Sequence, residues 1–248
     1  MTIQLSIKIF CSRNYLLVSI LLIIFFSFFV SQSFAQEKLK VNYKHFTYLP
    51  KNYNNDSSKY PLVIYLHGGS QKGNDLEKLK VYGLPYLVDQ GKEFDFIMVA
   101  PQCPEGRYWS TENWFDSLYN EVTAKYRVDK SRVYVTGISM GGYGTYIAAL
   151  DHTEKIAAIV PLCGGVNDSD TTRICRLKDM PILTYHGTAD EEISIQETER
   201  IAKFLKECNG NITFHRLKGE GHGIQYLYET EPWIYEWLLM QRKLTNVE

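Results

Sequence analysis

The sequence has no surplus of charge of either sign: 27 Lys and Arg stand against 28 Asp and Glu in 248 residues. A near-neutral, mixed surface argues against nucleic acid or an anionic membrane as the main partner. Cysteine is scarce as well, with five in the chain. Their spacing fits no zinc pattern, and none lies in the local signature of a cysteine nucleophile. No internal repeat, low-complexity tract or dividing linker is present, so one domain is expected. No long insertion separates the strand-like and helix-like segments, which argues against a large hydrophobic lid.

The long apolar run stands apart from this even pattern. Lys8 and Arg13 precede an apolar stretch, Tyr15 to Val30, broken only by Ser19 and Ser27, and Ser33-Phe34-Ala35 follows. A positive start, an apolar middle and small residues at the end have the layout of a secretory signal peptide cut after Ala35. An uncleaved anchor is the alternative, since about sixteen to twenty apolar residues nearly span a bilayer. Cys11 precedes the apolar core, so the lipoprotein arrangement is missing, as is a twin arginine. The expectation is a signal peptide over 1–35 and a single catalytic domain over 36–248. The product would be exported, to a periplasm or the cell exterior, with no stable membrane insertion after cleavage. Cleavage removes two basic residues and no acidic one, which makes the balance −3. Cys103, Cys163, Cys175 and Cys208 survive it, and four cysteines allow three disulfide connectivities or none.

Within 36–248, short continuous apolar runs recur: LVIYL at 62–66, FDFIMVA at 94–100, RVYVT at 132–136, AAIVPL at 157–162 and ILTY at 182–185. Such runs suit strands buried on both faces. Residues 39–49 alternate well enough for an edge strand. Helical patterns cover 113–126, 139–150, 194–207 and 232–243. Buried strands alternating with helices predict an α/β fold, a mostly parallel sheet with helices on both faces and its chemistry at the carboxyl ends of the strands.

Those strand ends carry unusual loops: HGGS, PQCPEG, GISMGG and HGTAD, with GEGHG after a last strand, ITFHRL. Gly137-Ile138-Ser139-Met140-Gly141 is G-x-S-x-G between a strand and a helix, the setting in which the pattern marks a strained turn that lifts a serine clear of the sheet. A serine hydroxyl needs a base, and the base needs an acid to orient it. Of the histidines, His222 alone combines a late position with a flexible loop after the last strand. His45 and His152 lie too early or on a helix end, and His215 lies mid-strand. For the acid, Asp190 follows a strand and precedes a helix, with Glu191 and Glu192 as rivals. The oxyanion of such a reaction needs backbone donors. Met140 N–H is one, and Gly69 the choice for the other, with Gly68 as fallback. His67 and His186 each close a strand. His67 is grouped with the substrate-facing residues as a brace for its loop, not as a titrating base. Trp109 and Trp114, with Tyr108, lie in the loop GRYWSTENW at the same rim. They would form either an aromatic wall for a phenolic acid or sugar ring, or packing against the scaffold.

LVIYLHGGS, IMVAPQCPEGRYW, RVYVTGISMGGYGTY, VPLCGG, PILTYHGTAD and GEGHG together resemble the α/β-hydrolase superfamily, in its phospholipase/carboxylesterase or dienelactone-hydrolase-like branch. Exported feruloyl and acetyl-xylan esterases and predicted peptidases are among the proteins it is similar to. The resemblance spans about residues 40–243. It implies an α/β-hydrolase fold, a serine carboxylesterase with Ser139, His222 and Asp190, and no cofactor or metal. The substrate would be a small-molecule or polysaccharide-linked ester. The run HGIQYLY departs from relatives that carry a polar residue and a tryptophan soon after the histidine. A serine peptidase for short peptides and a non-catalytic binding module are the competing readings.

Overall fold

A computed structural model describes residues 38–243 of the chain. The predicted signal segment, 1–35, lies outside the described residues. Seven strands form one sheet: β1 (His45–Tyr48), β2 (Tyr60–Leu66), β3 (Ile97–Pro101), β4 (Val128–Ile138), β5 (Ala158–Leu162), β6 (Leu183–Gly187) and β7 (Thr213–Leu217), in the order β1-β3-β2-β4-β5-β6-β7. β1 runs antiparallel to β3 at one edge, and every other pairing is parallel.

The continuous apolar runs became buried strands because both faces are covered. Leu62, Ile64 and Leu66 of β2 point into one core, while Val63 and Tyr65 point into the other. The first core is closed by α2 (Phe115–Lys125), α3 (Met140–Asp151) and α4 (Gln196–Glu207). The second is closed by α1 (Leu84–Asp89), α5 (Leu227–Thr230) and α6 (Trp233–Met240). Among the described residues no helix is long and apolar enough to cross a membrane.

Two expectations need adjustment, and one element is additional. The edge strand expected over 39–49 is regular only at His45–Tyr48, with an isolated bridge between Lys40 and Asn113 upstream. The segment at 94–100 is a strand only from Ile97, and ahead of it Phe94 and Phe96 stack on each other at 4.8 Å. α1 was not anticipated: at six residues it is too short to show a helical period.

The cysteines divide into one bridge and two thiols. Cys175 and Cys208 form a disulfide across 33 residues, tying the 3-10 segment Asp168–Leu177 to the end of α4. Cys103 and Cys163 are free and buried.

Candidate active site

Ser139 stands where β4 gives way to α3, at φ 59° and ψ −119°. That region is unfavourable for a residue with a Cβ and persists only where the surroundings over-determine it. Here they do. The Ser139 N–H donates to Leu162 O at 3.0 Å, and Ser139 O accepts from Tyr143 N–H at 3.1 Å. Gly137 and Gly141 let the turn pass backbone to backbone against β2. A Cβ on Gly137 would lie 2.5 Å from Leu66 O, and one on Gly141 would collide with the same oxygen.

The loops after β6 and β7 bring the other two groups to this turn. His222 Nε2 lies 2.8 Å from Ser139 Oγ, and His222 Nδ1 lies 2.8 Å from Asp190 Oδ2. Asp190 Oδ1 accepts from the backbone N–H groups of Glu192 and Ile193 at 3.0 and 2.9 Å. Burial opposes the charge on Asp190. The Ile193 N–H, the His222 ring and the Glu192 N–H outweigh it and hold this carboxyl below the ordinary range. An ionised Asp190 accepts the hydrogen of Nδ1, which leaves Nε2 to accept from the serine hydroxyl. So arranged, the imidazole can take the Ser139 proton as the oxygen attacks a carbonyl.

The geometry also separates Asp190 from Glu192. Glu192 has an exposed side chain at the mouth of the site, 3.6 Å from the serine-facing Nε2 rather than from Nδ1. His186 is a neighbour that spacing did not assign. Buried at the end of β6, it lies with Nε2 2.9 Å from Ile193 O and 3.3 Å from Asp190 Oδ2. Both partners are acceptors, so Nε2 carries the hydrogen. Burial pushes this imidazole below its usual pKa, against the Ile193 carbonyl and Asp190.

Met140 opens α3, and its N–H is one of the first-turn donors that have no acceptor within a helix. Gly68 and Gly69 follow β2 and line a cavity together with Ser139 and His222. A Cβ on Gly68 would lie 3.7 Å from Ser139 Cβ, and one on Gly69 would meet nothing within 4 Å.

Two of the expected substrate-facing residues are not on the cleft. His67 is fully buried. Its Nε2 accepts from Cys103 N–H at 3.0 Å, so Nδ1 bears the hydrogen and donates to Gly68 O at 2.6 Å. Burial lowers its pKa to about 4, so the ring is a neutral brace. Trp114 lies in the core with its N–H on Trp109 O at 2.9 Å, and is removed from the cleft by Trp109 itself. Trp109 does both things weighed for it. Its ring is buried and its N–H donates to His67 O at 3.1 Å, yet it also lines a cavity beside Ser139. Tyr143 shares that cavity and was missed, although it lies one helical turn after Ser139 and so on the same face.

Cys163 lies under the site at φ 36°, with Sγ 3.7 Å from His222 O. Burial raises its thiol to about 12, and that of Cys103 to about 11, so both stay protonated. Cys163, Asp190 and His222 bring ligand-type atoms within 4.8 Å of one another. The hydrogen bonds of Asp190 and His222 already account for that proximity.

Residues 106–228 match the profile of the Phospholipase/Carboxylesterase family. Over 166 residues the chain is 30% identical to the bifunctional acetylxylan esterase/xylanase of Neocallimastix patriciarum, covering 64% of this chain and 23% of that protein. A probable feruloyl esterase C of Aspergillus terreus is 31% identical over 176 residues, covering 65% and 60%. The crystal structure of a thermostable esterase superposes with a TM-score of 0.65 at 28% identity, over 80% of this chain and 59% of that one. The chain spans less than two thirds of the length of each of these relatives. The sheet order, the strained serine turn and these similarities lead to one assignment: the chain has an α/β-hydrolase fold and is similar over residues 106–228 to the Phospholipase/Carboxylesterase family.

Proposed function

We propose that the protein is an exported serine esterase that cleaves carboxylic esters through an acyl-enzyme, of the feruloyl or acetyl type, acting on acyl groups carried by polysaccharides. The observation that carries this reading is the hydrogen-bonded series from Ser139 Oγ through His222 to Asp190, with both steps at 2.8 Å. Export rests on the N-terminal sequence pattern, and the acyl and polysaccharide assignments draw support from the names of the relatives.

In this reading His222 Nε2 takes the hydroxyl proton as Ser139 Oγ bonds to the ester carbonyl carbon. The negative oxygen is received by the N–H groups of Met140 and Gly69. Collapse breaks the bond to the alcohol oxygen, to which His222 returns the proton. A water molecule then repeats the sequence and releases the acid and free Ser139. Asp190 keeps the ring in the required tautomer throughout.

The test compares methyl ferulate, a short-chain aryl acetate and a peptidyl anilide on the purified domain, with Ser139→Ala as reference. Ester turnover is expected to fall by about ten-thousand-fold or more in the variant. Ester hydrolysis near the wild-type rate in Ser139→Ala would remove the serine mechanism. Anilide cleavage exceeding that of both esters would replace the esterase with a peptidase.

A further inference from the structure

Ser139 lies at the meeting of two cavities. One, of about 400 Å³, is lined by Tyr108, Trp109, Met140 and Tyr143. The other, of about 370 Å³, holds Ser70, Tyr82, Glu192, His222 and Gln225. The two are not equivalent for an ester. The departing alcohol oxygen must take a proton from His222, and His222 lines only the second cavity. The alcohol therefore belongs on that side, and the acyl group beside Trp109 and Tyr143.

A third cavity, of about 170 Å³, begins where the second ends. Tyr82 and Gln225 line both, and Val81, Tyr86, Tyr226 and Glu229 continue outward from them. Tyr226 is 40% and Val81 68% exposed, more than large apolar side chains need be for packing. This third cavity is lined by aromatic side chains, the Gln225 carboxamide and the Glu229 carboxylate, and Glu192 stands in the second.

We propose that this third cavity is a sugar-binding subsite, continuous with the alcohol side of the cleft, that takes the neutral polysaccharide chain bearing the ester. A sugar ring offers an apolar C–H face to an aromatic side chain and a rim of hydroxyls to carboxamide and carboxylate acceptors. Glu192 and Glu229 accept from hydroxyls and repel a chain carrying its own carboxylates, which selects a neutral backbone. During acylation the Ser139 Oγ–carbon bond forms and the carbon–sugar oxygen bond breaks. The proton passes from His222 to that oxygen, and the chain departs as a free hydroxyl along Tyr82 and Gln225. This inference rests on the esterase reading for its chemistry but makes a separate statement about binding.

Two measurements test it. The first is the ratio of kcat/KM for a ferulate ester of a neutral xylo-oligosaccharide to that for methyl ferulate, in the wild type and in Tyr226→Ala. The ratio is expected to fall by about tenfold in the variant, through KM, the size of one lost aromatic contact. An unchanged ratio, or equal losses on both esters, would overturn the subsite. The second is calorimetric titration of Ser139→Ala with the unesterified xylo-oligosaccharide and with the same chain bearing uronic acid. Binding of the neutral chain that weakens in Ser139→Ala/Tyr226→Ala supports the proposal. Absence of binding, or tighter binding of the acidic chain, rejects it. If the wild type hydrolyses neither ester, the esterase reading fails while the titration still decides the subsite.

Discussion

The turn that carries Ser139 and the turn after β2 face the same cleft, and both are rich in glycine, but backbone packing closes only the first. At Gly141 a Cβ would collide with Leu66 O, whereas at Gly69 it would meet nothing within 4 Å. In the serine turn, glycine permits the start of α3 to approach β2 backbone to backbone. In the second turn it leaves open space beside the chain, at a cavity that Ser139 also lines. The support differs in the same way. The serine turn is held by main-chain bonds to Leu162 and Tyr143, and the other by its own short bonds from Gln71 and Lys72 N–H to Gly68 and Gly69 O, by Trp109, and by the neutral imidazole of His67 through Gly68 and Cys103. The same residue type therefore reports packing in one loop and access in the other.

If that distinction is right, Gly141→Ala has the largest effect, a loss of about 3 kcal/mol or more in denaturant stability, because the obstacle is backbone that cannot rotate away. A midpoint close to wild type would mean that β2 yields at Leu66, and the two turns would then be alike. Opening the Cys175–Cys208 bridge, remote from both turns, sets the scale for a global change. The loss expected is about 3–4 kcal/mol for a loop of this length, read as a lower urea midpoint under reducing conditions.

The third effect is specific to the second turn. His67 has a folded pKa of about 4 against an ordinary 6.5, so the unfolded chain binds its proton first. The contribution of the neutral ring is whole above pH 6.5 and is lost as pH falls toward 4, by roughly 2–3 kcal/mol. His67→Gln should be less stable at pH 7 and show a shallower fall in stability over that window. An identical slope would mean that the brace does not titrate as buried. Smallest of all, Gly69→Ala should change stability by no more than about 0.5 kcal/mol, since its space is open.

The sequence carried the strand ends well because each ended in residues that no ordinary turn requires. Ser139, Asp190 and His222 were legible from G-x-S-x-G, from HGTAD and from GEGHG, and the structure brings all three within hydrogen-bond reach. Spacing favoured Asp190 but left Glu191 and Glu192 as rivals, because all three follow the same strand. The choice depends on which carboxylate receives the Glu192 and Ile193 N–H groups. Trp114 and His67 were misplaced for a related reason. Position in a loop says which rim a residue approaches, but not whether another ring, here Trp109, or a backbone acceptor, here Gly68 O, draws its side chain inward.

The sequence by itself determined the α/β architecture and the identity of the serine, the imidazole and the turn between strand and helix. Apolar periodicity and glycine placement are local, and they constrain backbone directly. Only the tertiary structure decided that Cys175 pairs with Cys208, that His186 stands against Asp190, and that the cleft divides at Ser139 with His222 on one side. Each of these depends on segments more than thirty residues apart, or on opposite sides of a loop, meeting in space. No spacing rule records that, because it is the sheet order that brings them together.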